Sequence, residues 1–145
     1  MKVEPLNRSF GAKVSELSLP DLNQDQVQEI YKLWLKYALL IFPKQNLTNS
    51  QQIEFAKNFG ALEFDLSPIS NVRNDGSIRD ANDDDIVKSL KGNMEWHHDS
   101  TYMPIQAKGA VFTAHKVPKK GGETGWADMR ACLLYTSDAA DEITG

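Results

Sequence analysis

Hydrophobic positions change their spacing several times along the chain, and each change predicts an element. Over residues 1–20, Val3, Leu6, Phe10, Val14, Leu17 and Leu19 alternate with polar groups, Gly11 and two prolines, the pattern of small strands joined by turns. No helix is expected there. From Asn23 the period lengthens: Val27, Ile30, Tyr31 and Trp34 recur at i, i+3, i+4 and i+7, and Asn23 with Gln26 three residues on makes a capping box. This predicts an amphipathic helix over residues 24–36. Ala38, Leu39, Leu40, Ile41 and Phe42 then run without a polar break until Pro43 stops them, which suits a strand covered on both faces. A second capping box, Thr48 with Gln51, opens a helix on which Phe55, Ala56 and Phe59 share a face and after which Gly60 marks the end.

Beyond Gly60 the pattern turns polar. Residues 61–94 read as loop and short strand, with Asn74-Asp75-Gly76 as a hairpin signal after Ile69-Ser70-Asn71-Val72. Asp80, Asn82 and Asp84 fall at alternate positions, as in a calcium loop, but Asp85 stands where that loop needs glycine and Lys91 where it needs glutamate. A solvated acidic loop is the better reading. Farther on, residues 95–100 are expected to be extended because Trp96, Thr101 and Tyr102 favour strand. Residues 109–114 and 124–127 read as strands and residues 118–122 as a turn.

The chemistry-bearing residues lie in the first of these later segments. If residues 95–100 are extended, alternation sends His97 and Asp99 to one face and His98 to the other, so one histidine alone can pair with Asp99. An imidazole and a carboxylate from neighbouring same-face positions supply two corners of a facial triad, which leaves metal positions open for cosubstrate and oxygen. Fe(II) suits such a mixed nitrogen and oxygen set, whereas zinc sites lean on more histidine or on cysteine. Alone, a His-x-Asp tripeptide is weak evidence and reads more often as a surface hydrogen-bonded pair. His98 reads as solvent-facing or supporting, His115 as structural beside Lys116, and Trp96 as packing near the site.

Composition narrows the function classes. The chain has 145 residues, 41% hydrophobic and 25% charged, which suits one soluble domain. A net charge of -4 and a pI near 5.3 argue against a nucleic-acid partner, because neutralising phosphates needs a basic face. There is no run of 18 apolar residues and no apolar stretch in Met1-Lys2-Val3-Glu4-Pro5, so neither a membrane partner nor a signal peptide is expected and the reading is cytoplasmic. Cys132, the only cysteine, cannot form an internal disulfide.

Taken together, Trp96-His97-His98-Asp99-Ser100-Thr101-Tyr102, Gly121-Gly122-Glu123-Thr124 and Trp126-Ala127-Asp128-Met129-Arg130-Ala131 resemble the TauD/TfdA family of Fe(II)/2-oxoglutarate dioxygenases. The likeness reaches upstream through Phe55-Ala56-Lys57-Asn58-Phe59-Gly60-Ala61-Leu62, the segment from Ala38 to Thr48 and Phe10-Gly11-Ala12, and covers residues 3–131. Ile69-Ser70-Asn71-Val72 and Asp128-Met129-Arg130-Ala131 are closer to the 2,4-dichlorophenoxyacetate type than to the taurine type. The resemblance implies an α+β, mainly β fold: a double-stranded β-helix, or jelly roll, with flanking N-terminal helices, here truncated. It implies Fe(II) as metal, 2-oxoglutarate and O2 as cosubstrates, and hydroxylation of a small organic acid with oxidative cleavage of an aryloxyalkanoate- or sulfonate-like substrate. Residue by residue, it makes His97 and Asp99 iron ligands and Thr124 a hydroxyl donor to 2-oxoglutarate. Asn93 and Ser100 fall at substrate-contact positions. A carboxylate at Asp99 disfavours halogenation, since halogenating relatives carry a small residue there.

The same resemblance sets an expectation about the chain's extent. The family's distal histidine and cosubstrate arginine come from a C-terminal half, so residues 1–131 read as the N-terminal part of the domain. Residues 132–145, from Cys-Leu-Leu-Tyr-Thr-Ser onward, resemble translated sequencing-adapter read-through, a foreign tail. On that reading the 145-residue chain itself is inactive, and homo-oligomerisation of a full-length protein stays open. The alternative is a catalytically inactive small-acid-binding or interaction module on the same fold.

Overall fold

The structure is a computed structural model of the chain and describes residues 1–7 and 10–132. The foreign-tail reading therefore falls, but for Cys132, outside the described residues. The chain divides into two compact units, the first formed by residues 1–60 with 112–145 and the second by residues 61–111.

The first unit is built on a three-stranded sheet. Strand β1 (Lys2–Pro5) pairs antiparallel with β2 (Ala12–Ser15), Val3 opposite Val14. The reversal between them needs glycine at position 11: its φ is +84°, and a Cβ there would stand 3.0 Å from Leu6 Cδ1. From β2 the chain passes through a 3-10 turn (Leu19–Asp21) into α1 (Gln24–Tyr37) and returns as β3 (Leu40–Ile41), parallel to β2 with Ala12 opposite Leu40. Parallel strands need such a crossover, and α1 provides it. Helix α2 (Asn49–Lys57) follows.

Both capping boxes form. The Asn23 side chain accepts from Gln26 N–H while Gln26 Oε1 accepts from Asn23 N–H, each at 2.9 Å, and Thr48 with Gln51 repeats the exchange. The apolar stripes then choose the buried faces. Val27 and Ile30 of α1 and Phe55 of α2 are buried with Ala12, Val14, Leu19 and Leu47. Phe55 packs edge-on against Phe42 and Phe59, and Phe59 meets Tyr31 and Trp34. Burying a side chain the size of Ile30 stabilises by about 1.5–3 kcal/mol.

The second unit contains α3 (Asp85–Gly92) and a hairpin turn. Arg73 N–H donates to Ser77 O, Val72 bridges Ile78, Gly76 takes φ +85°, and Asp75 Oδ1 accepts from the N–H and hydroxyl of Ser77. The Asn74-Asp75-Gly76 turn signal is thus expressed. Helix α3 is not the loop expected there. Asp84 caps it by accepting from Ile86 N–H at 3.0 Å, and Val87 is its buried residue.

The jelly roll is overturned. Among the described residues, helices of 14, 9 and 8 residues outweigh strands of 4, 4 and 2, and the sheet is open and three-stranded. A strand exists only where a neighbour completes its ladder of hydrogen bonds. Residues 95–100, 109–114 and 124–127 have the residue types of strands but find no ladder partner among the described residues, and none is a strand. The run from Ala38 to Phe42 yields only the two residues of β3, with Ile41 44% exposed, so it is not covered on both faces. No helix among the described residues is long and apolar enough to cross a membrane.

Candidate metal centre

The candidate site lies in the second unit, on the chain that leaves α3. Asn93 terminates that helix, its N–H donating to the Lys91 and Ser89 carbonyls, and its side chain is exposed. At the other end of α3, Asp84 is held by Arg73 Nη2 at 2.7 Å and Arg79 Nη1 at 3.3 Å. Loss of water by itself raises the Asp84 carboxyl, but the Arg79 guanidinium and the Ile86 N–H outweigh it and hold the group below the usual carboxylate range. Asp80 is lowered by the N–H groups of Asn82 and Asp83, both of which its Oδ1 accepts. The acidic run is therefore built into a turn and a helix cap, more ordered than a solvated loop.

His97 and Asp99 come together without a strand. His97 Nδ1 stands 2.7 Å from the Glu95 carbonyl oxygen, and because a carbonyl only accepts, Nδ1 is the protonated nitrogen of that contact. In its neutral form the ring then presents a bare lone pair at Nε2, the arrangement by which a backbone oxygen orients a metal-binding imidazole. Nε2 faces Asp99 Oδ1 at 3.4 Å. Two acceptors facing one another repel unless a proton or a cation lies with them. Imidazole nitrogen plus carboxylate oxygen is a donor set suited to Fe(II), so the residues present fit the metal that the motif implies. They supply two donors: no group of three His, Cys, Asp or Glu side chains gathers among the described residues.

The other candidates are placed as follows. Ser100 is buried at 8% exposure, adopts φ +59°, and its hydroxyl donates to Glu63 Oε2 at 2.9 Å. No motif singles out Glu63, and a partner 37 positions upstream leaves no local signal in the sequence. His98 is exposed, and its Nδ1 is 2.8 Å from Asp99 O and 2.9 Å from Gln106 Nε2. One ring nitrogen cannot both donate to a carbonyl and accept from an amide, so these contacts are alternatives. Trp96 is 74% exposed and does not pack beside the site as expected. Thr124 and His115 belong to the first unit and are exposed.

In that unit, Asp128 accepts from the N–H and guanidinium of Arg130 at 3.0 Å, and Arg130 Nη1 donates to Leu35 O. The Arg130 guanidinium holds the Asp128 carboxyl below its usual range. This ties the Asp128-Met129-Arg130-Ala131 segment, helical over residues 129–132, to α1.

The family described as taurine catabolism dioxygenase TauD, TfdA matches residues 2–142. The chain belongs to the TauD/TfdA dioxygenase family. It is 55% identical over 141 residues to the (S)-phenoxypropionate/alpha-ketoglutarate-dioxygenase of Sphingobium herbicidovorans, covering 97% of this chain and 48% of that protein. Identity is 47% to the protein of the same description from Delftia acidovorans, over 99% of this chain and 50% of the relative. It is 34% to the alpha-ketoglutarate-dependent 2,4-dichlorophenoxyacetate dioxygenase of Cupriavidus pinatubonensis, over 97% and 55%. The chain thus spans about half the length of the curated relatives it matches. Among solved structures, it is similar to AAD-2 in complex with Mn(II) and N-oxalylglycine, with TM-score 0.68 and 34% identity over 74% of this chain and 40% of that one.

Proposed function

We propose that the protein is, or is the N-terminal part of, an Fe(II)- and 2-oxoglutarate-dependent dioxygenase that hydroxylates phenoxyalkanoate-type organic acids. The observation that carries this reading is the His97–Asp99 pair, with Nδ1 engaged by Glu95 and Nε2 turned to the carboxylate, in a chain of this family. The names of the relatives support the substrate class. In this reading His97 Nε2 and the Asp99 carboxylate hold the metal, and Glu95 O fixes the ring that presents Nε2. The Thr124 hydroxyl donates to a carboxylate of 2-oxoglutarate, while Asn93 and the Ser100 N–H meet the substrate anion. When bound, iron with 2-oxoglutarate and O2 supplies the oxidation: 2-oxoglutarate leaves as succinate and CO2, and one oxygen atom enters a substrate C–H bond. Hydroxylation of a carbon that bears an ether oxygen gives a hemiketal, which collapses to a phenol and a keto acid.

A chimera tests this directly. Residues 1–131 are joined to the corresponding C-terminal half of the Sphingobium herbicidovorans relative, and succinate and phenol are measured with Fe(II), 2-oxoglutarate and phenoxypropionate. The expected result is coupled formation of both, lost on His97→Ala or Asp99→Ala by more than about 100-fold, since each removes an iron ligand. An inert chimera, or full turnover in either variant, overturns the proposal. A chimera that binds 2-oxoglutarate without making succinate favours the inactive binding module.

A further inference from the structure

We propose that Glu63 is a positioning residue for the metal pair: by accepting the Ser100 hydroxyl, it holds Ser100 in the left-handed conformation that turns the Asp99 carboxylate onto His97 Nε2. The inference rests on His97 and Asp99 being the metal pair. Its basis is the backbone after Asp99. Ser100 has φ +59°, a region in which a side chain's Cβ crowds the backbone and which glycine occupies freely. A serine persists there only if its surroundings hold it. Two restraints are visible. Ser100 O accepts from Met103 N–H at 3.1 Å, a local turn. Ser100 Oγ donates to Glu63 Oε2 at 2.9 Å, a contact with an acceptor 37 residues away and the one that fixes the side chain of this buried residue. A hydroxyl bonded to a carboxylate is stronger than one bonded to a neutral acceptor. The strained residue directly follows a metal-pair residue, so relaxing it rotates the peptide that carries Asp99. The 3.4 Å approach of Oδ1 to Nε2 depends on that peptide. Glu63 does not gather with His97 and Asp99 into a group that could hold a metal among the described residues, which distinguishes it from a ligand.

The test separates the backbone from the metal. In the 145-residue chain, NMR scalar couplings of Ser100 report its φ, and broadening of His97 and Asp99 resonances by added Mn(II) alone reports metal binding even when weak. Glu63→Ala is expected to abolish the left-handed couplings at Ser100 and to weaken Mn(II) binding by about tenfold, the scale on which groups supporting a metal ligand act. Glu63→Gln keeps an acceptor oxygen and is expected to stay near the parent. Glycine takes this φ without strain, so Ser100→Gly added to Glu63→Ala is expected to restore Mn(II) binding, a rescue that a merely structural role for Glu63 does not give. Should Glu63→Ala lose α3 by circular dichroism, Ser100→Ala removes the same bond from its other end and carries the same expectation. Wild-type couplings and broadening in Glu63→Ala, or no rescue by Ser100→Gly, overturn the inference. Absence of Mn(II) broadening in the parent chain overturns the metal-pair reading instead, and the Ser100 couplings in Glu63→Ala then decide the hold of Glu63 on the backbone.

Discussion

In the first unit, Ala12, Val14, Leu19, Val27, Ile30, Leu47 and Phe55 are buried, and aromatic rings from α1, α2 and the β3 exit pack together. In the second, Val87 and Ser100 are the buried residues among those described, while Met94, Trp96, Tyr102 and Ile105 are exposed. What holds the second unit is polar: Asp84 with Arg73 and Arg79, Asp75 with Ser77, and Ser100 with Glu63. Apolar burial scales with the area removed from water and tolerates changes of pH, whereas exposed ion pairs contribute little and depend on charge. The candidate chemistry therefore lies in the unit whose cohesion is the more conditional, the low-stability end from which functional segments are drawn.

The largest expected effect breaks the first unit. Ile30→Ala leaves a cavity in its core and is expected to cost about 2–5 kcal/mol, read as a lower denaturant midpoint with an unchanged slope. If the midpoint stays put, the packed core does not carry that unit. A smaller effect separates the two units by acid. Asp75, Asp80 and Asp84 in the second unit all have folded-state pKa values below the ordinary carboxylate value. A carboxylate lowered by folding stabilises fully above its unfolded pKa of about 3.9 and loses that contribution as pH falls through the folded value. Amide exchange in α3 and the hairpin turn is therefore expected to accelerate below about pH 4, before exchange in α1 does. The first unit has its own lowered carboxylates, Glu4 with Lys13 and Asp128 with Arg130, but they are backed by apolar burial. Simultaneous loss of both units would erase the distinction.

The smallest effect sharpens the picture of the first unit. Ala38 ends α1 with φ 61° and ψ -33°, and Leu39 N–H donates to Tyr37 O across it, a strained three-residue turn. Ala38→Gly is expected to stabilise by about 0.5–1 kcal/mol, visible as a raised melting temperature. A lower melting temperature would mean that the turn relaxes without glycine.

Much of the first unit was legible because its signals are local. Asn23 with Gln26 and Thr48 with Gln51 act within one turn, and a stripe at helical spacing states which face is buried before any partner is known. The Asn74-Asp75-Gly76 turn was legible for the same reason. Helix α3 was missed although Asp84, Val87, Leu90 and Gly92 stand at capping, stripe and terminal positions, because the acidic run around Asp84 reads as solvated until Arg73 and Arg79 are seen to meet it. The strands expected at residues 95–100, 109–114 and 124–127 failed because strand propensity proposes a ladder that only a distant partner completes.

At His97 and Asp99 the division is clearest. The family was legible in residue types and their order along several segments, among them Trp96-His97-His98-Asp99-Ser100, and the match over residues 2–142 shows it; the same order names His97 and Asp99 as candidates, since both readings depend on side-chain identity along the chain. The alternation argument singled out His97 and Asp99 through a strand that does not form. The structure decided how the pair meets: Glu95 O orients His97 from two residues away, and Glu63, 37 positions upstream, accepts the hydroxyl of the residue after Asp99 in a backbone region that serine rarely adopts. The reason is range. A motif records neighbours in the chain, while the orientation of a carboxylate is set by whatever the fold brings against its backbone.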